Sequence, residues 1–249
     1  MKLSGNTVFI TGGTSGIGRS LAEALHKRGN QVIISGRRKG HLAEVTKANP
    51  GMQSLELNVA DPASIAAVAK KLITEYPKLN VLINNAGIMQ IDDAAGAIDD
   101  SVLVSIVTTN LLGPIRMTSA LIGHLKKQPS ATVINVSSGL AFVPLASTAV
   151  YSATKAAIHS YTQSMRYKLK GSSVRVLELI PPWVQTDLLN SKDEPRAMPL
   201  AAFIEEAVTV LGTDAEEVMV ERVKMLRNNP GPNEFVFVAQ FNDMIASAH

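Results

Sequence analysis

The sequence predicts a single α/β domain built on a doubly wound parallel sheet of about seven strands, with helices on both faces. Two observations predict it. Short β-branched runs alternate with longer amphipathic runs along most of the 249 residues, the pattern of repeated strand–helix–strand units. The short runs Val8-Phe9-Ile10, Val32-Ile33-Ile34 and Val81-Leu82-Ile83 are continuously apolar rather than alternating, which marks strands covered on both sides. Right-handed crossovers between parallel strands then wind the sheet outward in two directions from a switch point.

Taken in order, Thr7–Thr11 reads as the first strand and 18–28 as a helix. A strand at 31–35 leads to a helix at 39–49, stopped by Asn49-Pro50-Gly51, and residues 53–59 form the next strand. Asp61 and Pro62 supply an N-cap and a first-turn proline for a helix running to about Tyr76. A strand at 81–84 precedes one long helix from about 101 to 127, then a strand at 132–136, a helix over about 150–170 and a strand at Val174–Ile180. Helical patterns at 200–211 and 215–226 follow, and the apolar run 234–239 reads as the last strand. No linker, repeat or low-complexity tract divides the chain. Residues 1–249 therefore read as one domain, with a cofactor-binding and catalytic core over 1–186, a substrate loop and helices over 187–234, and a last strand and tail over 235–249.

Composition removes several classes of function. Hydrophobic residues make up 46% and charged residues 18%, enough core and too little charge for a disordered chain. With aromatics at only 4%, that core is built from Ala, Val, Leu and Ile. The net charge is +3, and the basic clusters Arg37-Arg38-Lys39, Lys70-Lys71 and Lys126-Lys127 are scattered, unlike the concentrated face of a nucleic-acid reader. The absence of cysteine excludes disulfides, thiolate nucleophiles and Cys–zinc sites. Histidines at 26, 41, 124, 159 and 249 have no metal-ligand spacing, so no metal is expected. No apolar run reaches the roughly 18 residues of a membrane span, and the first residues lack a signal-peptide apolar region. A cytoplasmic protein without nucleic-acid or membrane partners is the expectation.

Five features carry chemistry. Thr11-Gly12-Gly13-Thr14-Ser15-Gly16-Ile17-Gly18 follows the first strand and opens a helix; glycine there lets the backbone approach a pyrophosphate at a helix N-terminus. The second strand ends in Ser35-Gly36-Arg37-Arg38. An acid would usually stand there to bind a ribose 2′-hydroxyl; glycine followed by two arginines suits a 2′-phosphate instead. Asn84-Asn85-Ala86-Gly87 closes the fourth strand with small residues. Last, Tyr151 and Lys155 are four apart on a helix and share a face. Bringing a phenol to neutrality takes about 4 kcal/mol, and an ammonium about 4 Å away supplies about that at an effective dielectric of about 20. Ser138, just past the fifth strand, puts a hydroxyl at the same sheet edge. Each feature alone has a bland reading: a tight turn, surface arginines, a core tyrosine beside a surface lysine, a loop serine.

Together and in this order they resemble the short-chain dehydrogenase/reductase family, in its single-domain branch of about this length. The resemblance runs from Thr7 to about Leu188 and includes Asn110 within Thr109-Asn110-Leu111-Leu112-Gly113. It implies a Rossmann-like fold and an NADP(H)-dependent oxidoreductase interconverting a ketone or aldehyde and an alcohol. Tyr151 would be the general acid or base, Lys155 would lower its pKa and hold the nicotinamide ribose, Ser138 would orient the carbonyl oxygen, and Asn110 would hold a water. Gly12, Thr14, Ser15, Gly16, Ile17 and Gly18 would cradle the pyrophosphate, Arg37 and Arg38 the 2′-phosphate, and Asn85, Ala86 and Gly87 the adenosine side. Asn58, with Val59 beside it, stands where an acid often holds the adenine. Val184 and Thr186 would contact the carboxamide, with Pro181 also at the cofactor, in a stretch where Pro182 replaces a usual glycine. Residues 191–249 depart from the common pattern. The apolar residues Leu140, Phe142, Val143, Leu145, Trp183, Leu188 and Leu189 would form the substrate wall and favour a hydrophobic carbonyl compound. A homodimer or homotetramer is expected, with Ala120, Leu121, Ile158 and Met165 as candidate interface residues. The alternative of another class is a non-catalytic nucleotide-sensing protein on the same fold; a sugar-nucleotide epimerase would need a longer chain.

Overall fold

The computed structural model describes residues 1–246; residues 247–249 of the expected tail lie outside the described residues. Seven parallel strands form one sheet in the order β3-β2-β1-β4-β5-β6-β7. They are β1 Thr7–Thr11, β2 Gln31–Gly36, β3 Gln53–Glu56, β4 Leu79–Asn84, β5 Ala131–Val136, β6 Val174–Ile180 and β7 Glu217–Met219. The helices are α1 Gly16–His26, α2 Lys39–Ala48, α3 Pro62–Glu75, α4 Asp100–Val107, α5 Gly113–Leu125, α6 Ala149–Lys168, α7 Leu200–Leu211, α8 Glu221–Arg227 and α9 Glu234–Ala246. The fold is the Rossmann-like sheet that the apolar strands imply.

Every residue of β1 and β5 is buried, because each face of the sheet carries its own core. Leu21 and Leu25 of α1 pack with Phe203 and Val208 of α7 on one face. Ile65 and Leu72 of α3 pack with Leu121 of α5 and Met165 of α6 on the other. Asp61 caps α3 by accepting from the Ala63 N–H at 2.9 Å, ahead of the first-turn Pro62. Strand order reverses between β1 and β4, and in such sheets the ligand crevice opens beyond the strand C-termini at that point.

Four expectations are corrected. The single helix over 101–127 is two, α4 and α5, joined by a π-helical turn at Thr108–Leu112. Pro114 lacks the N–H that would continue the ladder, which is why the helix restarts there. The third strand ends at Glu56 rather than Val59. The last strand is not 234–239: the short run Glu217–Met219, read within a helix, takes the open edge of β6. Residues 234–246 then have no strand to join and form α9, so β-branched and aromatic composition yields to tertiary context. Finally, Leu121, Ile158 and Met165 point into the protomer's own interior; of the candidate interface residues only Ala120 is exposed. Among the described residues, no helix is long and apolar enough to cross a membrane.

Candidate active site

The glycine turn and the end of β4 are built as one unit. Thr11 Oγ1 accepts from the Asn85 and Ala86 N–H groups at 3.0 and 3.1 Å. Asn85 Nδ2 donates to the Thr11 and Gly12 carbonyls, both at 3.0 Å. Gly12 has φ +69, and a Cβ there would lie 2.8 Å from Ala86 Cα. At Gly18 a Cβ would lie 2.3 Å from both Asn85 Nδ2 and the Gly12 carbonyl oxygen. These glycines are therefore required by backbone approach, and they leave a shallow cradle at the start of α1. Ser15 makes no side-chain cap there, so the first-turn N–H groups are open to an anion.

That cradle is one end of a cavity of about 1100 Å³, larger than the pocket of a single small ligand at about 300–1,000 Å³. Gly12, Thr14 through Gly18, Gly36, Arg37 and Arg38 line this end, with Asn58, Val59, Asn85, Ala86 and Gly87 beside them. Both arginine side chains are exposed. The residues present fit a dinucleotide: a backbone cradle for a pyrophosphate, and two guanidinium groups, without an acid at Gly36, for a further phosphate.

The other half comes from the far side of the switch point. Ser138, after β5, accepts from the Leu140 N–H at 3.1 Å and is turned into the cavity. Asp92 caps α6 by accepting from the Ala149 and Val150 N–H groups, each at 2.9 Å. This fixes the first turn of the helix that carries Tyr151 and Lys155, which are 7% and 5% exposed and line the same cavity. Lys155 Nζ donates to the Val136 carbonyl at 2.8 Å and lies 5.5 Å from the Tyr151 ring centroid. The chain by itself does not lower the phenol as expected. Burial pushes Tyr151 up to about 12, with the hydrogen-bonded Ser138 hydroxyl pulling it back. Burial pushes the Lys155 ammonium down to about 8, with the Glu178 carboxylate pulling it back. Both groups lose hydration, and desolvation disfavours whichever form is charged.

Asn110 is placed differently from the others. Its Oδ1 accepts from the Ile88 N–H at 2.9 Å, and its Nδ2 donates to the Ile88 carbonyl at 2.8 Å and Thr154 Oγ1 at 3.3 Å. The side chain clamps the loop after β4 to α6 from behind the cavity wall, using both Nδ2 donors and one of the two acceptor positions of Oδ1. In the loop after β6, Pro181 accepts from the Gly139 N–H at 2.9 Å, and Thr186 lies where a Cβ on Gly16 would touch it at 3.4 Å. Pro181, Val184 and Thr186 all reach the cavity, and Pro182 is accommodated without positive φ. Positive φ occurs later instead, at Leu189 and Asn190.

Leu140, Leu145, Trp183, Leu188 and Leu189 line the apolar end as expected, but Phe142 and Val143 do not. Phe142 is buried edge-on to His159, 4.7 Å between centroids, and beneath the Arg227 guanidinium. In their place the wall gains Ile91, Met225 and one face of α9, namely Phe241, Met244 and Ile245. The role of α9 was hidden because its composition resembles a strand. Asp92 was equally hidden: a capping aspartate 57 residues from its helix has no local signature.

His159, Glu178 and Glu217 bring ligand atoms within 4.8 Å of one another, a grouping invisible in sequence spacing. Glu217 is gripped by the Arg227 guanidinium at 2.8 and 3.0 Å, so a cation there would have to displace an ion pair.

The comparisons agree with this geometry. A family model described as short chain dehydrogenase matches residues 6–197. The uncharacterized oxidoreductase DltE of Bacillus subtilis (strain 168) is 40% identical over 234 residues, 92% of this chain and 93% of its own. Among solved structures, a short chain dehydrogenase from Burkholderia cenocepacia J2315 in complex with NADP is 27% identical, with TM-score 0.85 and coverage of 96% and 98%. A 3-ketoacyl-(acyl-carrier-protein) reductase from Brucella melitensis complexed with NADH is 27% identical, with TM-score 0.78 and coverage of 86% and 93%. With a glycine turn, a Tyr–Lys pair and a serine gathered around one cavity, and a family match over most of its length, the chain belongs to the short-chain dehydrogenase/reductase family of oxidoreductases.

Proposed function

We propose that the chain is an NADP(H)-dependent reductase that interconverts an apolar ketone or aldehyde and its alcohol. The observation that carries this reading is the shared cavity: Ser138, Tyr151 and Lys155 stand on one wall, between the dinucleotide cradle and an apolar end closed by Trp183 and α9. The bound nicotinamide supplies or takes the hydride. The chain's own residues do the rest. Ser138 donates its hydroxyl to the substrate carbonyl oxygen and holds it beside the Tyr151 phenol. The phenol, protonated throughout the neutral range at about 12, delivers a proton to that oxygen in reduction. In oxidation the Tyr151 phenol oxygen must act as base, and the positive charge of Lys155 favours its ionisation. Asn110 holds the loop that carries Gly87 and Ile88 against α6, and so fixes the width of the cavity between them.

NADP(H) is preferred in this reading because Gly36 stands where an acid would bind a 2′-hydroxyl, and Arg37 and Arg38 follow it. The neighbours solved with NADP and with NADH leave the choice to these residues. The test is oxidation of NADPH against a panel of aliphatic and aromatic ketones, with NADH in parallel. Turnover with apolar ketones, at higher kcat/KM for NADPH, is expected; binding without turnover of any ketone would make the chain a nucleotide sensor instead. A homodimer or homotetramer belongs to the same reading, and light scattering at micromolar concentration showing a monomer would remove it.

A further inference from the structure

Glu178 is a carboxylate with no solvent exposure, placed mid-strand in β6. Burying an acid in a sheet is costly unless something on the protein uses or compensates the charge. Register with β5 sets Glu178 opposite Asn135, one residue before Val136, whose carbonyl receives the Lys155 ammonium. Its side chain reaches α6, where both carboxylate oxygens meet His159 Nδ1 at 2.8 and 3.1 Å. His159 is four residues after Lys155, hence on the same face of α6 one turn away.

We propose that Glu178 is a positioning residue for Lys155: a buried counter-charge beneath the active site, held in place by His159, that keeps the lysine charged and seated on the Val136 carbonyl. This rests on the reading of Lys155 as part of the reductase site.

The charges around Glu178 favour this role. His159 of α6 meets it directly, with Lys155 and then Tyr151 at successive turns toward the start of that helix; from β7 comes Glu217 and from α8 Arg227. Arg166, on α6, is engaged elsewhere with the Val176 carbonyl and Glu216. Arg227 and Glu217 form a two-point ion pair and largely cancel each other. His159 Nε2 meets Gln163 Nε2 at 2.8 Å. An amide nitrogen only donates, so Nε2 accepts, Nδ1 carries the proton, and the imidazole is neutral while it donates to Glu178. Glu178 is therefore anchored by a hydrogen bond and not neutralised by one. The positive group left to balance it is Lys155, whose ammonium this carboxylate stabilises against the opposing effect of burial.

The test follows the lysine directly. Protein carrying ¹³Cε-labelled lysine, with the Lys155 signal assigned by its absence in Lys155→Arg, is titrated by NMR in the wild-type and Glu178→Gln forms. Removing the carboxylate removes a stabiliser of the ammonium, so the Lys155 midpoint should move to lower pH by about one unit, the low end of the range for a neighbouring charge. The basic limb of kcat/KM for NADPH-dependent ketone reduction should move the same way. An unmoved Lys155 midpoint overturns the inference, whatever the activity does. A wild-type protein that reduces no ketone instead removes the functional reading, and the NMR titration still judges the electrostatic one. If Glu178→Gln does not fold, Glu178→Asp and Glu178→Asn form a second pair, equally shortened and differing in charge; Lys155 should titrate at lower pH in the Asn form, and equal midpoints overturn the proposal.

Discussion

Replacing Tyr151 by Phe isolates the proton from the ring that carries it. The side chain is 7% exposed, so the Phe ring fills the same space and only a hydroxyl is lost. In the protein without substrate that hydroxyl meets the Ser138 hydroxyl. Losing one such hydrogen bond costs about 1 kcal/mol, which lowers Tm by about 2–4 °C for a chain of this size. Ser138 still accepts from the Leu140 N–H, so the loop after β5 stays in place. The rate is another matter, since a positioned general acid is worth roughly 10²–10⁴. The assay is kcat for ketone reduction beside the NADPH dissociation constant by fluorescence. Tyr151→Phe should lose kcat over that range and bind NADPH as before, the signature of an interaction made in the transition state alone. Ser138→Ala should lose rate, and also about 1 kcal/mol of stability, because it removes a capping oxygen. Lys155→Ala should impair both rate and NADPH binding and leave the Val136 carbonyl without its donor. A folded Tyr151→Phe protein with normal NADPH binding and near-full activity would return Tyr151 to being a core aromatic.

Other outcomes follow from the cradle. Arg37→Ala with Arg38→Ala should weaken NADPH binding about 10–100-fold, since hydrogen bonds to charged groups are worth about 1.5–3 kcal/mol, and leave NADH binding unchanged; equal losses with both cofactors would end the 2′-phosphate assignment. Gly36→Asp needs help, because its Cβ would lie 2.9 Å from Thr14 Cγ2. Combined with Thr14→Ser, which deletes that methyl, and Arg37→Ala, it should shift the kcat/KM ratio toward NADH. Gly18→Ala drives a methyl into the Gly12 carbonyl and Asn85 Nδ2 at 2.3 Å, and should cost about 1–3 kcal/mol in chemical denaturation and most of the NADPH affinity. Gly123→Ala, on an open face of α5, should gain up to about 1 kcal/mol, and a loss there would contradict the packing described.

The sheet was legible because its strands are buried on both faces and so read as unbroken apolar runs, with Thr7–Thr11 and Val174–Ile180 recovered to the residue. The cradle and the Tyr151–Lys155 pair were legible because their chemistry depends on spacing within one turn or one helix. What escaped depends on the fold. β7 has three residues, too few for periodicity to register, and exists because β6 offers an edge. The run 234–239 has strand composition and became helix once that edge was taken. Helix spacing reports that a lysine is near Tyr151 and says nothing of burial, which in the chain alone pushes the phenol up. Glu178 and His159 come from different elements, 19 residues apart, and no local pattern joins them.

The seam between β1 and β4 has a kinetic consequence. Thr11 and Asn85, which hold the cradle together, are 74 residues apart in the chain, and the intervening β2 and β3 pair outward on the other side of β1. During synthesis the segment through β3 can form its strand–helix units, yet the pyrophosphate cradle stays open-sided until β4 emerges and docks against β1. Non-local parallel pairing of this kind is slow, since loop closure precedes any reward. A dinucleotide held in this cradle would have nothing to grip in early intermediates and would select the late, seam-closed state, stabilising it by an amount that grows with the logarithm of its concentration above Kd. Refolding in the presence of cofactor should leave the early phases untouched and deepen only the last.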